Sequence, residues 1–331
     1  MTESSPAVAV LTSELGDHVS IELVDAYNEF ICRELQWHPV KASEGKRSEL
    51  LDKLMRRTIF GKFVPWFAAN EPCFVLLMSP HRIPRFAREL ARRKGPKAIL
   101  AFDVWPNDFE FVEQIVRGYG VTHLFLTSRD AADALSPNLP GVRVTWFPEA
   151  LVSESFEPRP LHERKIDILQ MGRKYDRIHA PLATQADLNY IYEKVPGQII
   201  YETKSELYRA MTDSKISICF TRSITHPEIA GNLATVTQRY LESMAAGCVV
   251  LGSVPGELQD LFPYEPVIKA DEANIVAQVR DLLANITDYG DLVHRNREHV
   301  LANHMLINRM PLFQDFIDQA KQKSNPTTHV R

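Results

Sequence analysis

Three polar clusters in the second half of the chain have the residue types and spacing to hold a charged, hydroxylated ligand. The first is a carboxylate, Glu242, set among the packing residues Tyr240, Leu241, Met244 and Ala245. The second is Gly172, which directly follows an apolar run and is trailed by Arg173, Lys174 and Arg177. Guanidinium and ammonium groups at the end of a strand are suited to neutralising a diphosphate, or else to pairing with acids of the protein. The third is an irregular loop over 221–234 that begins at Thr221, carries His226, Glu228 and a Gly231-Asn232 turn, and leads to a helix start near Thr235 or Thr237. Either threonine can cap that helix, and a helix N-terminus favours anions. Gly247 can close the same helix in the left-handed conformation, and Pro255 suits the first turn of the next one.

The first half offers weaker groups. Asp17 and His18 precede a helix, where they could act as a general base and its orienter, or as a cap and a solvated turn residue. His81, Arg82 and Arg85 follow an apolar run and could touch an acceptor or form a solvated helical turn. Asp103 and Trp105 stand at another strand end. An acid beside an aromatic ring can hold a sugar; the pair can equally be a cap and a packing residue. Two basic stretches, one around Lys46, Arg47, Lys53, Arg56 and Arg57 and one over 88–97, could lean with Phe60, Phe63 and Trp66 on an anionic membrane surface. A solvated charged face is the commoner reading of such a run.

The elements that must position these groups follow from hydrophobic periodicity. Apolar runs at 8–11, 74–78, 99–102, 123–126 and 142–146 read as buried strands. Segments 21–35, 48–60, 83–93, 108–117 and 129–135 between them have helical period. The alternation restarts with strand 166–171, helix 180–195, strand 198–201, helix 205–211 and strand 216–220, then the 235–262 stretch, a strand near 266–269 and helices over 272–320. Strand and helix in strict alternation imply parallel sheets covered on both faces, with chemistry at the strands' carboxyl ends. The Pro-, Ser- and Glu-rich segment 147–164 is the natural boundary. The expected organisation is an α/β chain of two Rossmann-like domains facing across a cleft. They span 1–155 and 156–305, followed by a helix over 306–321 and a polar tail at 322–331.

Composition removes several function classes. With 331 residues and a net charge of −4, the chain lacks the basic excess of a nucleic-acid binder that works by bulk electrostatics. No run of about 18 apolar residues is present to span a membrane. The first ten residues lack the order of a signal peptide, and Cys32, Cys73, Cys219 and Cys248 show neither metal spacing nor a redox pair. A cytoplasmic protein with buried free thiols is expected, peripheral at the inner face of a membrane if the basic face docks there.

Taken together, DILQMGRKYDR, SKISICFTRS and RYLESMAAGCVVLGSVPGELQDLF resemble the group 1 nucleotide-sugar glycosyltransferases of the GT-B fold. The nearer subgroup is the one named for a spore-maturation protein. The last segment is similar to the family's R-x-x-E-A-M-A-x-G-x-P-V helix and strand, FDVWPND to its H-D-x-W-P strand end, and VTWFPEALVSESFEP to its interdomain link. The resemblance implies a transferase that moves a sugar from a UDP- or GDP-type donor to a hydroxyl acceptor. That acceptor could be a glycan, a lipid-linked sugar or another alcohol. It implies that Glu242 accepts hydrogen bonds from ribose hydroxyls and that Arg173 holds the diphosphate with Lys174 or Arg177. Backbone amides around Thr235–Thr237 would face the distal phosphate. It implies no cofactor and no metal, since cationic side chains neutralise the leaving group. If the reaction inverts, Asp17, His18 or Asp103 would supply the base, with His81 and Trp105 on the acceptor side. The chain departs from the family in three places. Ala234 stands where many members carry a second Glu, Phe102 where they carry a His, and Val254-Pro255-Gly256 where paired glycines are usual. A non-catalytic nucleotide-sugar-binding partner subunit and a sugar-nucleotide epimerase are the alternative readings.

Overall fold

A computed structural model describes residues 7–13, 19–42, 46–57, 69–152, 156–195 and 199–324. Asp17, His18, Phe60, Phe63, Trp66 and the polar tail after 324 lie outside the described residues. The chain forms two compact units, Met1–Pro148 with Leu306–Arg331, and Glu149–Met305.

The first unit is built on a six-stranded sheet. Its strands are β1 (Ala9–Thr12), β2 (His38–Lys41), β3 (Cys73–Leu77), β4 (Lys97–Ala101), β5 (His123–Leu126) and β6 (Arg143–Trp146). They lie in the order β2-β1-β3-β4-β5-β6, every pair parallel. The central strands are fully buried because helices cover both faces, which is why they read as continuous apolar runs. β2 was not expected. His-Pro-Val-Lys has no apolar run, and its Pro39 is tolerated because the strand sits at the sheet edge. The expected helix over 83–93 opens instead as a 3-10 turn, Pro80–Phe86, with Pro84 inside it, and becomes α-helical only at Ala87–Ala91. The segment after Leu306 completes this unit as a 3-10 stretch (Leu306–Phe313) and a helix (Gln314–Ser324). Phe313 and Phe316 are fully buried. They pack edge-on against Trp37 at 5.7 and 5.6 Å, and Phe313 also meets Phe125 at 4.9 Å. Such contacts add to the area each ring removes from water.

The second unit carries a five-stranded parallel sheet of β7 (Ile166–Gln170), β8 (Tyr190–Tyr192), β9 (Ser214–Cys219), β10 (Val249–Gly252) and β11 (Ile268–Lys269), in the order β11-β10-β9-β7-β8. Two expectations fail here. The helix predicted over 180–195 ends at Ala183, having begun at Asp176, and Tyr190–Tyr192 is an edge strand. Residues 199–201, expected as strand, are irregular. Pro181 weakens the helix, and Tyr-Ile-Tyr has the aromatic and β-branched character of a strand. The helix Gln238–Ala245 buries Tyr240–Ala245 against the sheet. Gly247 follows it with φ +70°, the expected left-handed closure. All four cysteines are free, three of them buried.

Candidate active site

The carboxyl ends of β7, β9 and β10 gather the second-half candidates. β7 ends at Gln170, and Gly172 turns the chain outward at φ +84°, a conformation glycine takes without strain. The turn is anchored from below. Gln170, 1% exposed, donates from Nε2 to the Arg173 carbonyl at 3.3 Å and accepts from the Tyr190 hydroxyl. Arg173 is thereby held at the surface. Lys174 donates to the Glu193 carbonyl and lies over the Tyr192 ring. Arg177 pairs with exposed Glu272 at 3.2 Å. Lys174 and Arg177 are therefore both engaged by groups of the protein.

β9 leads to Thr221, which is buried. Its backbone amide donates to Ser253 Oγ at 3.0 Å, and Ser253, just past β10, is also within 2.7 Å of the Tyr240 hydroxyl. Tyr240 also donates to the Cys219 carbonyl at 3.1 Å. This network ties two strand ends to the helix. Thr237 takes the N-cap position of that helix, but its side chain accepts no capping bond. Two carboxylates from elsewhere in the unit cap the helix in its place. Glu257 Oε2 accepts from the Val236 amide at 2.7 Å, and Glu149 Oε2 from the Gln238 amide at 2.6 Å. Among the described residues, the amides of Thr235 and Thr237 donate to no protein acceptor. The Thr235 hydroxyl is buried with no partner.

Glu242 lies one turn into the helix with its side chain one-tenth exposed, ion-paired to Arg239 Nη1 at 2.9 Å. Burial pushes its carboxyl up, against the opposing pull of Arg239 and Lys204. Arg239 is the Arg of the R-x-x-E pattern, and the i,i+3 spacing was the signal for this pair. Glu149, Ser253, Lys204 and Glu257 carried no signal, because they come from separate loops. Glu242 on its helix and Lys204 at the start of Lys204–Thr212 both sit on the side where the helices leave the strands' carboxyl ends.

In the first unit, the loops after β3 and β4 meet. His81 Nε2 lies 2.9 Å from Asp108 Oδ1 and its ring stacks on Phe111 at 4.9 Å. Asp108 Oδ2 accepts from the Trp105 amide at 3.1 Å. Trp105 is 8% exposed, so it packs in the interior and offers no open stacking platform. Asp103 is exposed and holds φ +45°, a left-handed conformation that Asp tolerates better than most residues. Among the described residues no group of three His, Cys, Asp or Glu side chains is placed to hold a metal ion. No described helix is long and apolar enough to cross a membrane.

Residues 176–315 match the family model described as glycosyl transferase-like. No curated protein matches the chain. Among solved structures, sucrose-phosphate synthase from Thermosynechococcus elongatus is 11% identical, with a TM-score of 0.58 over 95% of this chain and 98% of that one. HepE from Anabaena, in complex with UDP and glucose, is 6% identical with a TM-score of 0.58 over 95% and 99%. An α1,3-fucosyltransferase with GDP is 7% identical with a TM-score of 0.54 over 96% and 92%. These structures give the fold, which is GT-B. The glycosyl transferase-like match covers 176–315 of the 331 residues, a segment that runs through most of the second unit.

Proposed function

We propose that the protein transfers a sugar from a nucleoside diphosphate sugar to a hydroxyl acceptor, with neither metal nor cofactor. The observation that carries this reading is buried Glu242, ion-paired to half-buried Arg239 on the helix that follows β9, with Gly172 and Thr221 at the neighbouring strand ends. A carboxylate beside a guanidinium is a strong acceptor for a pair of ribose hydroxyls. The open amides of Thr235 and Thr237, the Thr235 hydroxyl and surface Arg173 then supply donors and charge for the diphosphate. Charge that develops on the departing diphosphate is stabilised by groups already in place. The UDP in HepE and the GDP in the fucosyltransferase support a nucleotide donor. On the acceptor side we assign Asp103 as the base, with His81 positioned by Asp108. Asp17 and His18 stay as further candidates.

Calorimetric titration with UDP and GDP, run beside an assay of nucleotide diphosphate released from their sugars, tests the reading. Binding and turnover are expected for one nucleotide. Glu242→Gln should weaken binding about tenfold, the value of one charge-assisted hydrogen bond. Arg173→Ala should lower turnover more than it weakens binding of the nucleoside. Absence of nucleotide binding overturns the proposal. Binding without turnover transfers the protein to the partner-subunit reading.

A further inference from the structure

The second sheet carries another arginine-and-glycine arrangement, at its opposite edge. An open cavity of about 420 Å³ is lined by Arg159, His162, Arg164, Gly247, His294 and Arg297 among others, with no acidic residue in its wall. It sits at the amino ends of the strands. Arg164 precedes β7, Gly247 precedes β10, and Arg164 Nη1 donates to the carbonyl of Ser214, the first residue of β9, at 2.7 Å. A strand of five residues spans roughly 16 Å, so the cavity is separate from the carboxyl-edge groups assigned to the sugar donor.

Arg164 is the unusual member. It is 4% exposed, and burial pushes its guanidinium below the ordinary arginine range. Its Nε donates to the Arg159 carbonyl at 2.9 Å. Carbonyls satisfy its N–H groups, and among the described residues no carboxylate ion-pairs with Arg164; the charge of Asp213 acts on it only from beyond ion-pair distance. A buried, unpaired charge is costly unless something neutralises it. Nη2 lies against Gly247, where an added Cβ would stand 2.8 Å from it. Gly247 therefore both closes the preceding helix and leaves room for this guanidinium. A second arginine lines the same space: Arg297 Nη2 donates to the Phe156 carbonyl at 3.2 Å, its Nη1 pairs with the exposed Glu298, and its Nε is buried with no acceptor. The nearest acids make only long contacts, Asp213 with Arg159 at 3.8 Å, Glu163 with His162 at 3.7 Å and Glu298 with Arg297 at 3.4 Å.

We propose that this cavity is a binding site for a phosphate group, either free orthophosphate or the phosphate of a small metabolite. Planar guanidinium forks match phosphate oxygens. The apolar wall of Pro158 and Val293 would take the body of a phosphomonoester.

The test is calorimetry on the full chain with sodium phosphate and with glycerol 3-phosphate. At least one should bind saturably and raise the unfolding temperature. Arg297→Gln and the surface change Arg159→Glu should each weaken binding about tenfold or more. Arg173→Ala, at the other edge, should leave it unchanged. Equal affinity for the two probes identifies free phosphate, and tighter glycerol 3-phosphate identifies a metabolite. Failure of both probes to bind, or wild-type affinity in folded Arg159→Glu and Arg297→Gln, overturns the proposal. Loss in Arg173→Ala overturns it too, by placing the phosphate at the donor edge. The outcome is independent of whether the donor reading stands, since nucleotide binding is measured separately.

Discussion

The two units finish the carboxyl edges of their sheets by opposite means. In the first, the meeting of loops rests on His81 and Asp108, and the His81 side chain is 64% exposed. In the second, the joints are buried: Glu257 is 2% exposed where it receives the Val236 amide, and Ser253 bonds Thr221 beneath the surface. Water competes with every contact of the first kind and with few of the second. The difference fits the function proposed above, with a nucleotide held by a preorganised frame and an acceptor met by side chains free to adjust.

Substitutions can break this comparison. The largest effect is expected at Gly252, the last residue of β10, where an added Cβ would overlap the Cys219 carbonyl oxygen. Gly252→Ala should destabilise the protein by roughly 3 kcal/mol, read by denaturant unfolding, because the β9–β10 pair must separate. Next comes Glu257→Ala, which strands a buried amide and should cost about 2 kcal/mol. By contrast His81→Ala, which removes an exposed pair, should cost less than about 1 kcal/mol while lowering turnover with acceptor. Equal losses from Glu257→Ala and His81→Ala would show that the two edges are built alike.

The smallest effect sharpens the contrast within the first unit. His123, buried at the start of β5 beside Phe316, is held below the ordinary histidine range. Burial dominates, Asp315 opposes it and Arg143 adds to it. The folded state then binds fewer protons than the unfolded one. His123 contributes its full stability above the unfolded value of about 6.5 and loses it as pH falls from there through the folded pKa. The unfolding temperature should drop modestly over that interval, and His123→Phe should flatten the drop. A profile unchanged by His123→Phe would place the acid sensitivity elsewhere.

The parallel architecture was legible because β3, β4, β5 and β9 are buried on both faces and so appear as apolar runs. β2 and β8 were not, since an edge strand needs one buried face at most and can be as polar as His-Pro-Val-Lys. Within the site, Gly172, Arg173 and Glu242 stood out by local context, a glycine after a strand and an acid in an apolar stripe. Arg239, the ion-pair partner of Glu242 on the same helix, was not singled out from the sequence. Trp105 had the composition of a sugar platform, yet burial decides what a ring can stack on.

By itself, then, the sequence determined the buried strands and most of the helices between them, the turn at Gly172, the helix end at Gly247 and the presence of a carboxylate among packing residues. These are short-range properties of backbone preference and periodicity. Only the tertiary structure decided that Glu257 and Glu149 would cap the Gln238–Ala245 helix and that Arg164 would lie buried with no ion-pair partner among the described residues. Burial and hydrogen bonding between distant loops depend on which chain segments the sheet brings together, and no local pattern encodes that.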